Sequence, residues 1–478
     1  MFDPEDDRVL ILIQLNGGND GLNTVIPLDQ YGELFNLREN IIIPESKAIK
    51  IEDHVGLHPA FANMASLYSD DKLAIIQGVA YPNQNRSHFR SLDIWQTASG
   101  ANEFLSSGWA GRYLDTQHID YPTEYPNETY PDPIAISIGF QLSETCQGLG
   151  SNYSIALSSE SSLQSIGNSG NNEYESICYT EQVSFIQESI VQLNAYSAVV
   201  NGAFESGKNQ VEYPADRFAE QLRLIAKLIS GGLGTKIYVA NLGGFDTHAN
   251  QVDQTDSTAG GHAELLKRLS DGIFAFQKDM EAQGLEERVV GMTYSEFGRR
   301  IKSNGSFGSD HGTAAPMIVF GNCVNGGIIG NNVNLSREIL DNTGVEMQHD
   351  FRSVYASILM DWFGAEESQL REILFDDFSY IPIVSECLST ETFDHQVDPF
   401  ESKLYPNPAS DYCIFEYKNV SGNLQVEIFD TKGTKVKAIN QQSYDGKIEI
   451  SIRSLPPGGY YIRVNDGNRA TVKKLIKV

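Results

Sequence analysis

The run from Arg8 to Leu15 is apolar and β-branched along its length, with no alternation between two faces. A strand with one wet face alternates, whereas a continuous apolar strand must be covered on both sides, as in the middle of a parallel sheet. The run ends abruptly in Asn16-Gly17-Gly18-Asn19-Asp20-Gly21, a tight polar loop. One buried strand of this kind commits the chain to a layered fold with helices on both faces.

The pattern repeats downstream. Lys72 to Ala80 is a second buried strand, followed by a Pro/Asn-rich loop and an expected helix from Ser87 to Ala98. Helical spacing runs over Asp216–Ile229 and stops at Gly231-Gly232. Lys236–Leu242, Arg288–Tyr294 and Pro316–Gly321 read as further strands. His262–Glu281 and Phe351–Trp362 read as helices. Alternating strands and helices imply an α/β fold with a parallel, doubly wound sheet. Ligands of such sheets bind beyond the carboxyl ends of the strands.

Residues 141–215, rich in Ser, Asn, Gly and Gln, read as a surface insertion, partly helical around Tyr179–Gly202. From residue 404 to 478 the pattern changes to short strands between turns such as Asp445-Gly446 and Pro456-Pro457-Gly458-Gly459, the signature of a small β-sandwich. Charge changes with it. Residues 401–478 hold 12 Lys and Arg against 8 Asp and Glu, net +4; the preceding 400 hold 23 against 55, net −32. The expected boundaries are a main domain over 1–395, a linker over 396–403 and the sandwich over 404–478. The overall charge of −28 argues against a nucleic-acid partner, which needs a basic surface. No apolar run approaches the roughly 18–20 residues of a membrane span. The acidic start, Met1 to Asp7, does not read as a leader peptide. Of five cysteines none has zinc or redox spacing; Cys146 and Cys178 either form a disulfide or stay as buried thiols.

The loops after the strands hold Asp20, Ser87, Asp246 with His248, Glu296 with Arg299, and Asp310 with His311. Asp246 and His248 stand at i and i+2, which in extended chain puts both side chains on one ion; the alternative is a capping Asp and a surface His. Asp310-His311 can converge on a divalent cation or sit solvated in a loop. Asp20 is either a ligand or a turn builder. Ser87 is an N-cap or, beside a metal, a nucleophile. Arg299 either clamps an anionic ester or pairs with a carboxylate. His262 either reaches the metal site or only opens its helix. His54, His58, His118 and His395 show no partner pattern.

Together, Leu15 to Thr24, Asn85-Arg86-Ser87-His88-Phe89, Gly243 to Gln251, Ser295 to Arg299 and Ser309-Asp310-His311-Gly312 resemble the domain-of-unknown-function 1501 family, in the alkaline phosphatase and sulfatase superfamily. The resemblance implies an alkaline-phosphatase-like sheet between helices. It also implies metal ligands at Asp20, Asp310 and His311, with Asp246 and His248 on a second ion, and Ser87 as nucleophile. One or two divalent ions (zinc, manganese or calcium) are expected. So is a secreted hydrolase of small-molecule or glycan-linked phosphate or sulfate esters, or a non-catalytic surface or binding protein that kept the fold. The nearest counterpart of a further histidine used late in the better-studied phosphatases is His349, beside Asp350. Leu404-Tyr405-Pro406-Asn407-Pro408-Ala409, Val426 to Asp430, Leu455 to Tyr461 and Lys473 to Val478 resemble the type IX secretion sorting domain. That implies a partner in the type IX secretion machinery, a Bacteroidota-type bacterium, a secreted or outer-surface location, and a leader missing from this sequence.

Overall fold

In a computed structural model of the chain, the described residues are 7–158, 195–335, 338–376, 378–385, 402–407, 409–417, 422–430, 435–443, 446–465 and 470–477. Among them, a nine-stranded sheet forms the centre. Its strand order is Gly327–Ile329, Leu73–Ala80, Ala315–Phe320, Val289–Tyr294, Val9–Asn16, Ile237–Gly243, Ala135–Ile138 and Ser154–Leu157, with His349–Asp350 also paired to Leu73–Ala80.

Val9–Asn16 is central, as its apolar run requires, and pairs in parallel with both neighbours. Its side chains divide by parity. Leu10 and Leu12 enter one core with Val354 and Ile358 of helix Phe351–Asp361. Val9, Ile11 and Ile13 enter the other with Leu222 of helix Arg217–Ser230 and Leu266 of helix Gly261–Ala282. Two cores therefore draw on one strand, and each fully buried Leu or Ile contributes about 1.5–3 kcal/mol.

The sheet is mixed rather than wholly parallel. Ala315–Phe320 runs antiparallel to both its neighbours. Chain entering this strand therefore starts at the rim where the parallel strands end. The expected insertion is also smaller than 141–215: Ser154–Leu157 is an edge strand of the central sheet, and Tyr196 and Val200 are core residues. Residues 159–194, with most of the helix expected over Tyr179–Gly202, lie outside the described residues. Cys146 is a buried free thiol, so it forms no disulfide with Cys178. Cys323 is disulfide-bonded to a residue outside those described.

The C-terminal strands form two antiparallel sheets, of three and four strands. Phe415 and Ile450 from one meet Val426 and Ile462 from the other in a separate core, which is the expected sandwich. Ser402 and Lys403 already belong to the strand Ser402–Tyr405; most of the expected linker lies outside the described residues. No helix among the described residues is long and apolar enough to cross a membrane.

Candidate metal centre

Four loops meet at the carboxyl rim. Strand Ile237–Gly243 leads to Asp246 and His248, strand Val289–Tyr294 leads to Glu296, and the loop after Leu73–Ala80 leads to helix His88–Thr97. The fourth contribution is a hairpin, Arg299–Ser303 with Ser309–His311, in which Arg299 is opposite His311. It precedes the reversed strand Ala315–Phe320, which is why Asp310 and His311 reach the same rim from the amino side of a strand.

Three imidazoles point one nitrogen each toward Asp246. His311 Nε2 and His248 Nε2 each stand 3.1 Å from Asp246 Oδ1, and His88 Nε2 stands 3.5 Å from Oδ2. The opposite nitrogens are all spent on acceptors. His88 Nδ1 contacts Glu296 Oε1 at 2.8 Å, His248 Nδ1 contacts Asp310 Oδ1 at 2.9 Å, and His311 Nδ1 contacts the Arg86 carbonyl at 2.9 Å. Each acceptor fixes the ring proton on Nδ1 and leaves Nε2 a bare lone pair, the arrangement that supports imidazole as a metal ligand. His248 Nε2 and His311 Nε2 lie 2.9 Å apart. Two neutral imidazoles so oriented have no proton to share there. Burial lowers the His311 pKa and so opposes a second proton on that ring. A cation removes the conflict. The ligand atoms of His88, Asp246 and His311 lie within 4.8 Å of one another, close enough to share one ion.

Asp246 is prepared for this role. Burial raises its carboxyl, but Arg299, through its hydrogen bond and its charge, leads the opposing causes that hold it at about 2. Two glycines allow the close packing. Gly17 has φ +121°, and a Cβ there would meet the Asp246 nitrogen at 2.2 Å; Gly18 has φ +87°, and a Cβ would meet the Phe297 ring at 2.5 Å. Phe297 packs against the rings of both His88 and His311.

Several expected roles change. Arg299 is fully buried and gives its donors to the carbonyls of Gly17, Gly18, Phe245 and Ser309 and to Asp246 Oδ1. Its side chain is wholly buried, so it positions Asp246 rather than facing a substrate. Asp310 accepts from His248 Nδ1, Arg300 and Asn304, so it orients a histidine rather than facing the shared space. Asp20 stands apart from the histidines. Arg38 contacts both its oxygens at 2.9 Å, Gln251 donates at 2.6 Å, and the amides of Leu22 and Asn23 complete the set. Burial raises its carboxyl, but Arg38, His262 and the Gln251 hydrogen bond together reverse that and hold it below the usual carboxylate range. His262 is buried against Asn19, not in the group. Asp350 caps helix Phe351–Asp361 and holds Arg352, and neither it nor His349 is in the group that could share an ion. Ser87 is the N-cap residue of helix His88–Thr97 by backbone, yet its hydroxyl makes no capping bond and the residue is exposed.

His88 is a candidate ligand that had no role in the sequence reading, and Glu296, noted there only beside Arg299, is the residue that orients it. Attention to Ser87 as cap or nucleophile hid the histidine beside it, although both occur in one quoted motif. A histidine at the first position of a helix that starts on the rim was the available signal.

Residues 81–373 match the family described as Protein of unknown function (DUF1501). Residues 403–478 match the Secretion system C-terminal sorting domain, which makes this a secreted or cell-surface protein. None of the curated proteins matches the chain. Among solved structures, dimeric latent PorU from Porphyromonas gingivalis is similar at 26% identity and TM-score 0.14, over 16% of this chain and 9% of that one. A protein in the alkaline phosphatase superfamily from Vibrio parahaemolyticus is similar at 9% identity and TM-score 0.33, over 94% and 82% of the two chains. The PsFucS1 sulfatase from Pseudoalteromonas sp. is similar at 10% identity and TM-score 0.32, over 96% and 84%. These overlaps are loose, and no activity is carried over from them.

Proposed function

The chain belongs to the DUF1501 family of proteins of unknown function, and from the chemistry of its histidine centre we propose that it is a secreted, metal-dependent hydrolase of phosphate or sulfate esters. The observation that supports this is the convergence of three Nε2 lone pairs on the Asp246 carboxylate, with every Nδ1 already committed. Nitrogen ligands with one carboxylate suit zinc, or manganese, better than calcium, which takes oxygen. His88, Asp246 and His311 hold one ion, with His248 beside them. Asp20 is enclosed by Arg38, Gln251 and two amides and Asp310 supports His248, so this reading needs a single ion.

A bound cation supplies Lewis acidity and lowers the proton affinity of a neighbouring hydroxyl. The chain's own residues do the remainder. Ser87 lies between Arg86, whose carbonyl orients His311, and His88 itself. Its uncapped hydroxyl is the nucleophile of this reading: Oγ attacks phosphorus or sulfur, the substrate's alcohol departs with the proton, and water then releases the acid from the serine. Arg86 and Arg300 take the ester's charge in place of Arg299. They lie close enough for Arg300 to help depress the Arg86 guanidinium, after burial, and the buried Arg300 Nε bonds nothing among the described residues.

Elemental analysis after reconstitution is the first test, with about one zinc per chain expected and none in His88→Ala or Asp246→Asn. Aryl phosphates and aryl sulfates are the second, with turnover falling about a thousandfold or more in Ser87→Ala. A chain that takes up no metal is a non-catalytic binding protein; activity unchanged in Ser87→Ala removes that serine from the mechanism.

A further inference from the structure

The sheet face that carries Leu10 and Leu12 changes chemistry at its carboxyl end. Gln14 is in register with Asn241 on the next strand, and Ser137 extends the same face one strand further, beside Val239. Amides and a hydroxyl replace the apolar side chains at this end of the sheet. They floor a cleft of about 1470 Å³, walled on one side by helix His88–Thr97. This exceeds the roughly 300–1,000 Å³ of a site for one small molecule, so it has room for a chain of several units.

The lining is specific in kind. Among the described residues it contains no Lys, Arg or His, and its charges are the carboxylates Asp93 and Glu144. Its other polar groups are amides and hydroxyls, which both donate and accept hydrogen bonds. Two phenyl rings stand at the mouth, Phe89 and Phe140, at 90% and 91% exposure. Large apolar groups gathered at the mouth of a polar cleft mark a contact surface. Adjacent hydroxyls of a sugar match the amides, the C–H face of a pyranose ring covers a phenyl ring, and the Glu144 carboxylate repels a polyanion, Asp93 being paired with Arg90.

We propose that this cleft binds a neutral oligosaccharide. It opens beside the histidine centre: Phe89 follows His88 directly, and Asn16 lines the cleft while Gly17 donates to the Glu296 oxygen that also contacts His88. The sugar is thus the alcohol side of the ester. That last statement rests on the hydrolase reading; the binding itself does not.

The test is calorimetric titration of the full chain with maltohexaose, cellohexaose, xylohexaose, mannohexaose and a heparin hexasaccharide, each in zinc and in EDTA. A neutral hexasaccharide binds with the same affinity in both buffers, and Phe89→Ala/Phe140→Ala weakens it by about tenfold or more. Both rings are exposed, so the double variant keeps its fold, which circular dichroism checks. His88→Ala loses zinc and keeps the sugar. Failure of every neutral hexasaccharide to bind, binding of the heparin fragment alone, or unchanged affinity in the double variant would each overturn the proposal. Absence of metal with sugar binding intact would defeat only the hydrolase reading.

Discussion

Arg299 Nη2 donates to Asp246 Oδ1 at 2.8 Å. The guanidinium is wholly buried and the carboxylate is nearly half exposed. One bond thus anchors an outward-facing carboxylate to the rigid base of the rim. The same guanidinium gathers carbonyls from the loops after Val9–Asn16 and Ile237–Gly243 and from the hairpin.

Arg299→Ala is expected to lose about 3–5 kcal/mol of stability, because buried acceptors and a carboxylate lose their donor together. Arg299→Lys recovers little, since an ammonium cannot serve a fork of acceptors. Urea denaturation measures both. A loss under about 1 kcal/mol for the alanine variant, the size expected of a surface change, would refute the anchoring role.

His88→Ala is expected to abolish zinc uptake while changing the stability of the metal-free protein by only about 0.5–1 kcal/mol, as its side chain is partly exposed. Calorimetry with zinc and melting in EDTA separate the two effects. Zinc binding at full stoichiometry and unaltered affinity in this variant would remove His88 from the centre.

Asp20→Asn should behave in the opposite way. It leaves Arg38 buried without its counter-charge, with an expected cost of about 3–5 kcal/mol. Zinc stoichiometry should not change. A loss of metal in a variant whose circular dichroism is native would return Asp20 to the ligand set.

Acid should loosen the interior before it reaches the carboxylates. Burial depresses His262 from 6.5 to about 4 and, with the neighbouring His262 adding to the effect, His58 from 6.5 to about 3. Both are therefore neutral when folded and take up protons more readily when unfolded. Stability is at its full value above pH 6.5 and declines as pH falls toward 4. Denaturation midpoints in EDTA across that window measure the slope, and His262→Asn should flatten it. A pH-independent midpoint between 6.5 and 4 would contradict this account.

Cys146 and Cys323 should separate by chemistry. Burial pushes the Cys146 thiol up to about 12, so it is inert to alkylation in the folded chain and reactive once unfolded, without reductant. Cys323 is disulfide-bonded and should be labelled only after reduction. Peptide mass spectrometry reads both; labelling of Cys323 in unreduced, unfolded protein would show the bond absent.

What could be read along the chain was local. The apolar run over Val9–Ile13 required cover on both faces, and helix Arg217–Ser230 showed its period. Asp246, His248 and His311 stood in short motifs at strand ends, so their meeting at one rim could be anticipated. The division of labour among them could not. Asp310 meets the ring of a histidine 62 residues away, a partner its own motif did not name.

Sequence alone determined the two building styles, the sorting domain and the residue types gathered at the rim, because period, burial and turn chemistry are written in neighbouring residues. Tertiary structure decided strand direction and partner choice. Periodicity is the same for a strand read either way, so the reversal of Ala315–Phe320 had no local mark. A carboxylate is equally able to bind a metal, a guanidinium or an imidazole. Which one Asp20, Asp246 and Asp310 took depended on what packing brought within hydrogen-bonding distance.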